Sequence, residues 1–80
     1  MMPREPYYSD LGRRIQQARN ARGFTQVEVA ERVGVTRGTL ENMEHGRIRV
    51  LVHRLVDIAR VLGVPAHELL RGGDGATCRR

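Results

Sequence analysis

The sequence predicts an all-α domain of five short helices. Three observations carry that expectation. Apolar residues recur at three- and four-residue steps over most of the chain. Glycines punctuate those stretches at Gly23, Gly34, Gly46 and Gly63, each where a helix would need a left-handed stop. No segment alternates long enough to pair as a strand, since Val50-Leu51-Val52 is β-prone but too short. The chain has 80 residues, enough for one small domain with a modest core, which a partner subunit would help to stabilise. No internal repeat occurs at a period of roughly 20–50 residues.

Residues 1–8, with two prolines and two tyrosines, are expected to form an N-terminal arm. The first helix is expected to start at Ser9 or Asp10, either of which can cap it. It carries Leu11, Ile15 and Ala18 on one face and stops at Gly23. Phe24, the only phenylalanine, is expected to plug the core between helices. Thr25-Gln26-Val27-Glu28 reads as a capping box, in which Thr25 accepts from the Glu28 amide and the Glu28 carboxylate reaches back. The second helix then runs to Val33 with Val29, Ala30 and Val33 inward, and Gly34 ends it. Thr36 caps a third helix running to about His45, with Leu40 and Met43 as its apolar residues and Gly46 as its stop.

Arg47 to Arg49 form a basic loop. From about Leu51 a fourth helix carries Val52, Leu55, Val56, Ile58, Ala59 and Leu62 to Gly63. Pro65 suits the first turn of a short fifth helix ending in Leu69 and Leu70. Residues 9–70 are therefore the folded domain, and 71–80 a flexible, glycine-rich tail.

Composition narrows the function. Fourteen basic residues, all arginine, face nine acidic ones, a formal charge of +5. Such a small basic domain suits a polyanionic partner, nucleic acid or an acidic protein. No apolar run exceeds four residues, so no membrane span is expected, and Met1 to Pro6 lacks the apolar stretch of a signal peptide. The single Cys78 can form neither an internal disulfide nor a metal cluster, and a cytoplasmic setting is expected. His53 and His67 lack a second histidine at ligand spacing, so neither a metal nor another cofactor is expected. Nothing brings Ser9, His45 and Asp57 together as a triad, and no phosphate-binding glycine loop occurs, so an enzyme is not expected. Arg13, Arg14, Arg32, Arg54 and Arg60 read as solvated helix faces.

Residues 26–45 hold the informative pattern. Gln26, Ala30 and Gly34 are spaced four apart, amid apolar Val29, Val33, Val35, Leu40 and Met43. Two helices crossing steeply need a small residue at their closest approach, which Ala30 supplies. The tight turn between them needs positive φ, which Gly34 supplies. The result is a helix-turn-helix with its second helix held proud of the surface.

From Leu11 to Leu70, without gaps, the chain resembles the lambda-repressor-like family of Cro/cI, or XRE, type. The resemblance rests on TQ-x3-A-x3-GV-T-R-x-T-L-x-x-M-E-x-G and covers about three quarters of the chain. It implies a five-helix DNA-binding domain and double-stranded DNA as partner. By that resemblance Gln26 touches a phosphate and braces the recognition helix. Arg37, Gly38, Thr39, Glu41 and Asn42 are the candidates for base edges. Arg37 could grip guanine O6 and N7, Asn42 could read adenine, and Glu41 could accept from cytosine N4. Gly38 stands where a base-reading side chain is common, so readout there is lost or replaced by close backbone approach. Thr36, His45, Arg47 and Arg49 match positions that hold phosphates. Arg19 and Glu44 match a partly buried salt bridge between the first and third helices.

Arg49-Val50-Leu51 departs from the family, which often has a proline and a polar cap there. The apolar pair is expected either to form a contact surface or to tuck into the core. Val50, Leu51, Pro65, Leu69 and Leu70 are the dimer-interface candidates, and Tyr7 and Tyr8 could cross to a partner or reach DNA. No sensor domain is expected after the fifth helix. The reading implied is a homodimeric transcriptional repressor, acting at the nucleoid on a palindromic operator. The rival readings are an antitoxin that also binds a toxin protein, and a DNA binder without site preference.

Overall fold

The computed structural model describes residues 6–70, with side chains from Tyr8 onward. Among these residues the chain forms α1 (Pro6–Ala21), α2 (Gln26–Val33), α3 (Arg37–Glu44), α4 (Val52–Leu62) and α5 (Ala66–Leu70), and no strand. The expected tail, Cys78 and residues 1–5 of the expected arm lie outside the described residues. No described helix is long and apolar enough to cross a membrane.

Local chemistry sets most helix ends. Thr25 Oγ1 accepts from the Glu28 amide at 3.1 Å, and Glu28 Oε1 accepts from the Thr25 amide at 2.8 Å. This reciprocal box satisfies two amides that would otherwise lack a helical partner. At the other end of α2, Gly34 adopts φ +94° and its amide reaches the Ala30 carbonyl at 2.8 Å. Thr36 then caps α3, accepting from the Thr39 amide at 3.1 Å. The cap of α4 is different, because Leu51 holds that position with no side-chain hydrogen bond.

Two elements differ from expectation. Helix α1 begins at Pro6, a turn before Ser9 and Asp10, so residues 6–8 belong to the helix. Proline is well suited to a first helical turn. Tyr8 is half-buried against the core, and that packing extends the helix past the local capping signals. It is therefore a helix residue and not part of an arm. Phe24 is likewise at the rim of the core and not in its centre. It is only partly buried, with the Arg32 guanidinium 5.1 Å from its ring centroid, within cation–π range.

The core collects Leu11 and Ile15 of α1, Val29, Ala30 and Val33 of α2, Leu40 and Met43 of α3, and Leu55, Ile58, Ala59 and Leu62 of α4. Leu69 of α5 closes it at 3% exposure. Helix α1 packs on α3, α4 and α5, while α2 packs on α3 and α4. The crossing of α1 over the end of α3 depends on Gly12. A β-carbon there would run into the Met43 and Glu44 carbonyl oxygens. Gly46, at φ +72°, similarly leaves no room, since its β-carbon would lie 2.7 Å from the Ser9 Cα. These two close approaches seat the start of α1 against the end of α3. The exposed side of α3 is thereby held outward.

Candidate nucleic-acid interface

The site is built on a buried ion pair. Arg19 Nε donates to Glu44 Oε2 at 2.7 Å, and Nη2 donates to Glu44 Oε1 at 3.2 Å. The Glu44 side chain is 1% exposed and that of Arg19 10%. A third donation, from Arg19 Nη1 to the Phe24 carbonyl at 2.9 Å, ties the pair to the α1–α2 turn. A carboxylate this buried requires such a bidentate partner, because an unpaired charge there is costly.

From this anchor a hydrogen-bonded chain runs to the surface. Gln26 Nε2 donates to Glu44 Oε1 at 2.9 Å, and Arg37 Nη1 donates to Gln26 Oε1 at 3.1 Å. The same Nη1 donates to Glu41 Oε1 at 3.1 Å, one turn further along α3. Gln26 thus joins the first residue of α2 to the first residue of α3. Arg37 stands half-exposed at the start of the outward helix, with its guanidinium steered from two sides.

The other candidates lie on the same helix or the loop behind it. Thr36 Oγ1 donates to Thr39 Oγ1 at 3.0 Å, so the two hydroxyls sit together at the N-terminus of α3. Gly38 is exposed, and the nearest atom to an added β-carbon is Thr36 Oγ1 at 4.0 Å. The fold itself therefore does not demand glycine there. Asn42 Oδ1 accepts from Arg47 Nη1 at 3.4 Å, which brings the basic loop up against α3. His45, the last-turn cap of α3, donates through Nδ1 to the Glu41 carbonyl at 2.9 Å. Arg49 is exposed on the same loop. Arg37, Gly38, Thr39, Glu41 and Asn42 share α3; Gln26 touches Arg37, Arg47 touches Asn42, and Arg49 lines a groove with Thr36 and Thr39. Among the described residues no cluster of three or more His, Cys, Asp or Glu could hold a metal ion.

The interface candidates divide. Leu51 is 60% exposed and Leu70 43%, and Pro65 is exposed as well. Val50 is half-buried against the core. Leu69, expected at the interface, is instead a core residue, because the short α5 turns that face onto α1 and α4. Val52 and Val56, also apolar residues of α4, are exposed at 77% and 37%. They lie off the stripe formed by Leu55, Ile58, Ala59 and Leu62. Ile48, 38% exposed, adjoins Leu51 on a groove of about 640 Å³ whose other walls include Val35 and Met43. The i, i+4 spacing of Val52 and Val56 was the available sequence signal for this second face. The bracing by Gln26 that the family resemblance implies has no spacing signal of its own, because its contacts to Arg37 and Glu44 depend on how α2 crosses α3.

Residues 10–71 match the helix-turn-helix domain family.

The chain belongs to this helix-turn-helix family.

Its five-helix arrangement is the lambda-repressor-like one, the DNA-binding fold of XRE-type transcriptional regulators. An uncharacterized transcriptional regulator in the ATPase CF(0) region of Rhodospirillum rubrum is 40% identical over 55 residues, 69% of this chain and 51% of the relative. The chain thus spans about half the length of that protein. Among solved structures, the clp gene regulator ClgR from Corynebacterium glutamicum superposes with a TM-score of 0.84 at 28% identity, covering 92% of this chain and 79% of ClgR. SinR, a master regulator for biofilm formation solved in complex with DNA, gives a TM-score of 0.71 at 33% identity, covering 75% of this chain and 97% of the SinR chain in that complex.

Proposed function

We propose that this helix-turn-helix domain binds a partly palindromic DNA operator as a homodimer and represses the promoter it covers. One observation carries the reading: Arg37, at the head of the outward helix, is held through Gln26 to the buried Arg19–Glu44 pair. An arginine merely offering charge needs no such bracing, whereas one reading a base does. In this reading α3 enters the major groove and Arg37 takes guanine. Asn42 reads a second base by giving up its contact to Arg47. Gly38 lets the helix backbone approach the base edges closely. Gln26, Thr36, His45, Arg47 and Arg49 hold phosphates and set the register.

The second copy binds through Ile48, Leu51, Val52 and Val56. Leu51 supports this assignment. A helix start favours Ser, Thr, Asp or Asn, and leucine there forgoes the cap while exposing apolar surface. The cost of that exposed surface is recovered if a partner covers it. Replacing Leu51→Ser should therefore act in opposite directions. The monomer should gain about 1 kcal/mol from a proper cap, seen as a higher melting temperature. Operator binding should lose cooperativity between half-sites in the same variant. A Leu51→Ser protein that binds a two-half-site operator as cooperatively as the parent would place the dimer contact elsewhere.

Selection of bound duplexes from a random pool at roughly physiological salt tests the reading as a whole. A palindromic consensus is expected, with half-site centres one helical turn apart, about 34 Å. Binding with no enriched site, fading steadily as salt rises, would overturn it.

A further inference from the structure

On any DNA sequence the acceptors nearest an exposed arginine are phosphates, and they carry no sequence information. Arg37 is arranged against that outcome. Its side chain is 53% exposed, yet Nη1 already donates to two acceptors, Glu41 Oε1 and Gln26 Oε1, each at 3.1 Å. Gln26 is not free to turn its amide. The Glu44 carboxylate can only accept, so Nε2 faces inward to it and Oε1 must face Arg37. The Glu44 carboxylate is in turn gripped by Arg19.

Both contacts fall on one nitrogen of the guanidinium and leave Nε and Nη2 out of the pairing. Those two adjacent donors match a bidentate acceptor such as the O6 and N7 edge of guanine. The Glu41 carboxylate, 37% exposed, adds a second effect. A phosphate approaching Arg37 also meets this negative charge and must either displace it or be repelled. A guanine edge is neutral and can be gripped with the Arg37–Glu41 pair intact.

We propose that Glu41 is a specificity-determining residue: acting through Arg37, it suppresses binding to phosphate and leaves the guanidinium competent for guanine. This rests on the operator reading above and assigns Glu41 a positioning role in place of direct contact with a base.

The test measures binding of the purified protein to the selected operator and to a scrambled duplex of the same composition, over a series of salt concentrations. Glu41→Gln keeps the size and the acceptor oxygen but removes the charge. Glu68→Gln makes the same chemical change on α5, which packs on α1 and α4. Glu41→Gln should tighten binding to the scrambled duplex and leave the operator nearly unchanged. The ratio of the two affinities should then fall roughly fivefold to tenfold, and the salt slope on scrambled DNA should steepen by about 0.9 per bound subunit, the value for one more phosphate contact on each. Glu68→Gln should leave the ratio as it was. In an Arg37→Ala background, Glu41→Gln should no longer lower the ratio.

Equal tightening on both duplexes, matched by Glu68→Gln, would overturn the proposal as a plain effect of net charge. A change of preferred base at one operator position would overturn it in favour of direct reading by Glu41. Loss of the ratio in the Arg37→Ala background as large as in the parent would overturn the route through Arg37. Parent protein that does not distinguish the two duplexes would overturn the operator reading itself, a result separate from the other three.

Discussion

Arg37→Ala is expected to weaken operator binding far more than binding to random DNA. A bidentate arginine–guanine contact contributes about 1–3 kcal/mol of discrimination. A homodimer carries two such contacts, so the loss on a symmetric operator doubles to about 2–6 kcal/mol. That is a decrease of more than tenfold at the lower end and beyond a thousandfold at the upper. On random DNA the same substitution removes at most one phosphate contact per subunit. Competition binding against operator and scrambled duplexes checks this directly. Equal losses on both would make Arg37 a backbone contact and remove the base-reading role. The fold should be unaffected, since Arg37 is exposed and contributes no core surface.

Glu44→Ala is expected to produce the largest loss of stability. It leaves Arg19, which is 8% exposed, with a buried charge and no carboxylate. Breaking one side of a buried pair typically costs about 3–5 kcal/mol. Small domains have only about 5–15 kcal/mol in total, and a chain of this size lies toward the lower end. Urea unfolding should show the midpoint falling sharply with little change in slope. A loss below about 1 kcal/mol would mean that the pair behaves as a surface salt bridge.

A double replacement separates the two roles of the pair. Arg19→Met with Glu44→Leu removes both charges and refills the space, so most of the stability should return. The Gln26 amide would then have no carboxylate to orient it. We expect this variant to fold and still discriminate poorly between operator and scrambled DNA. Full discrimination in the double variant would show that Arg37 is positioned without the buried anchor.

The helix ends that depend on neighbours within four residues were legible in the chain. Thr25 with Glu28, Gly34 after Val33, and Thr36 before Arg37 each satisfy or terminate a local hydrogen-bond pattern. The start of α1 is set by packing and not by capping. Ser9 and Asp10 are good caps, but capping contributes only about 0.5–2 kcal/mol. Packing of Tyr8 on the core extends the helix past them to Pro6. The Arg19–Glu44 pair came from the family resemblance, since nothing in a separation of 25 residues implies a contact.

Six apolar residues lie along α4, yet Val52 and Val56 point away from the buried stripe of Leu55, Ile58, Ala59 and Leu62. The apolar pattern says that a helix has something to bury and does not say how much belongs to its own domain. Leu69 differs in the opposite sense, buried where an interface was expected, because the short α5 closes over the core by way of its contacts with α1 and α4.

The sequence by itself determined the five helices and the turn at Gly34, because these rest on short-range hydrogen bonds and apolar spacing, and it carried the family through its resemblance to the motif of residues 25–46. Only the tertiary structure decided that Gln26 lies between Glu44 and Arg37, that Gly12 must admit the α3 carbonyls, and that Leu51 and Val52 are left uncovered. Each of these depends on the angle and offset at which two helices cross. Many weak core contacts set that geometry together, and no single residue spacing encodes it.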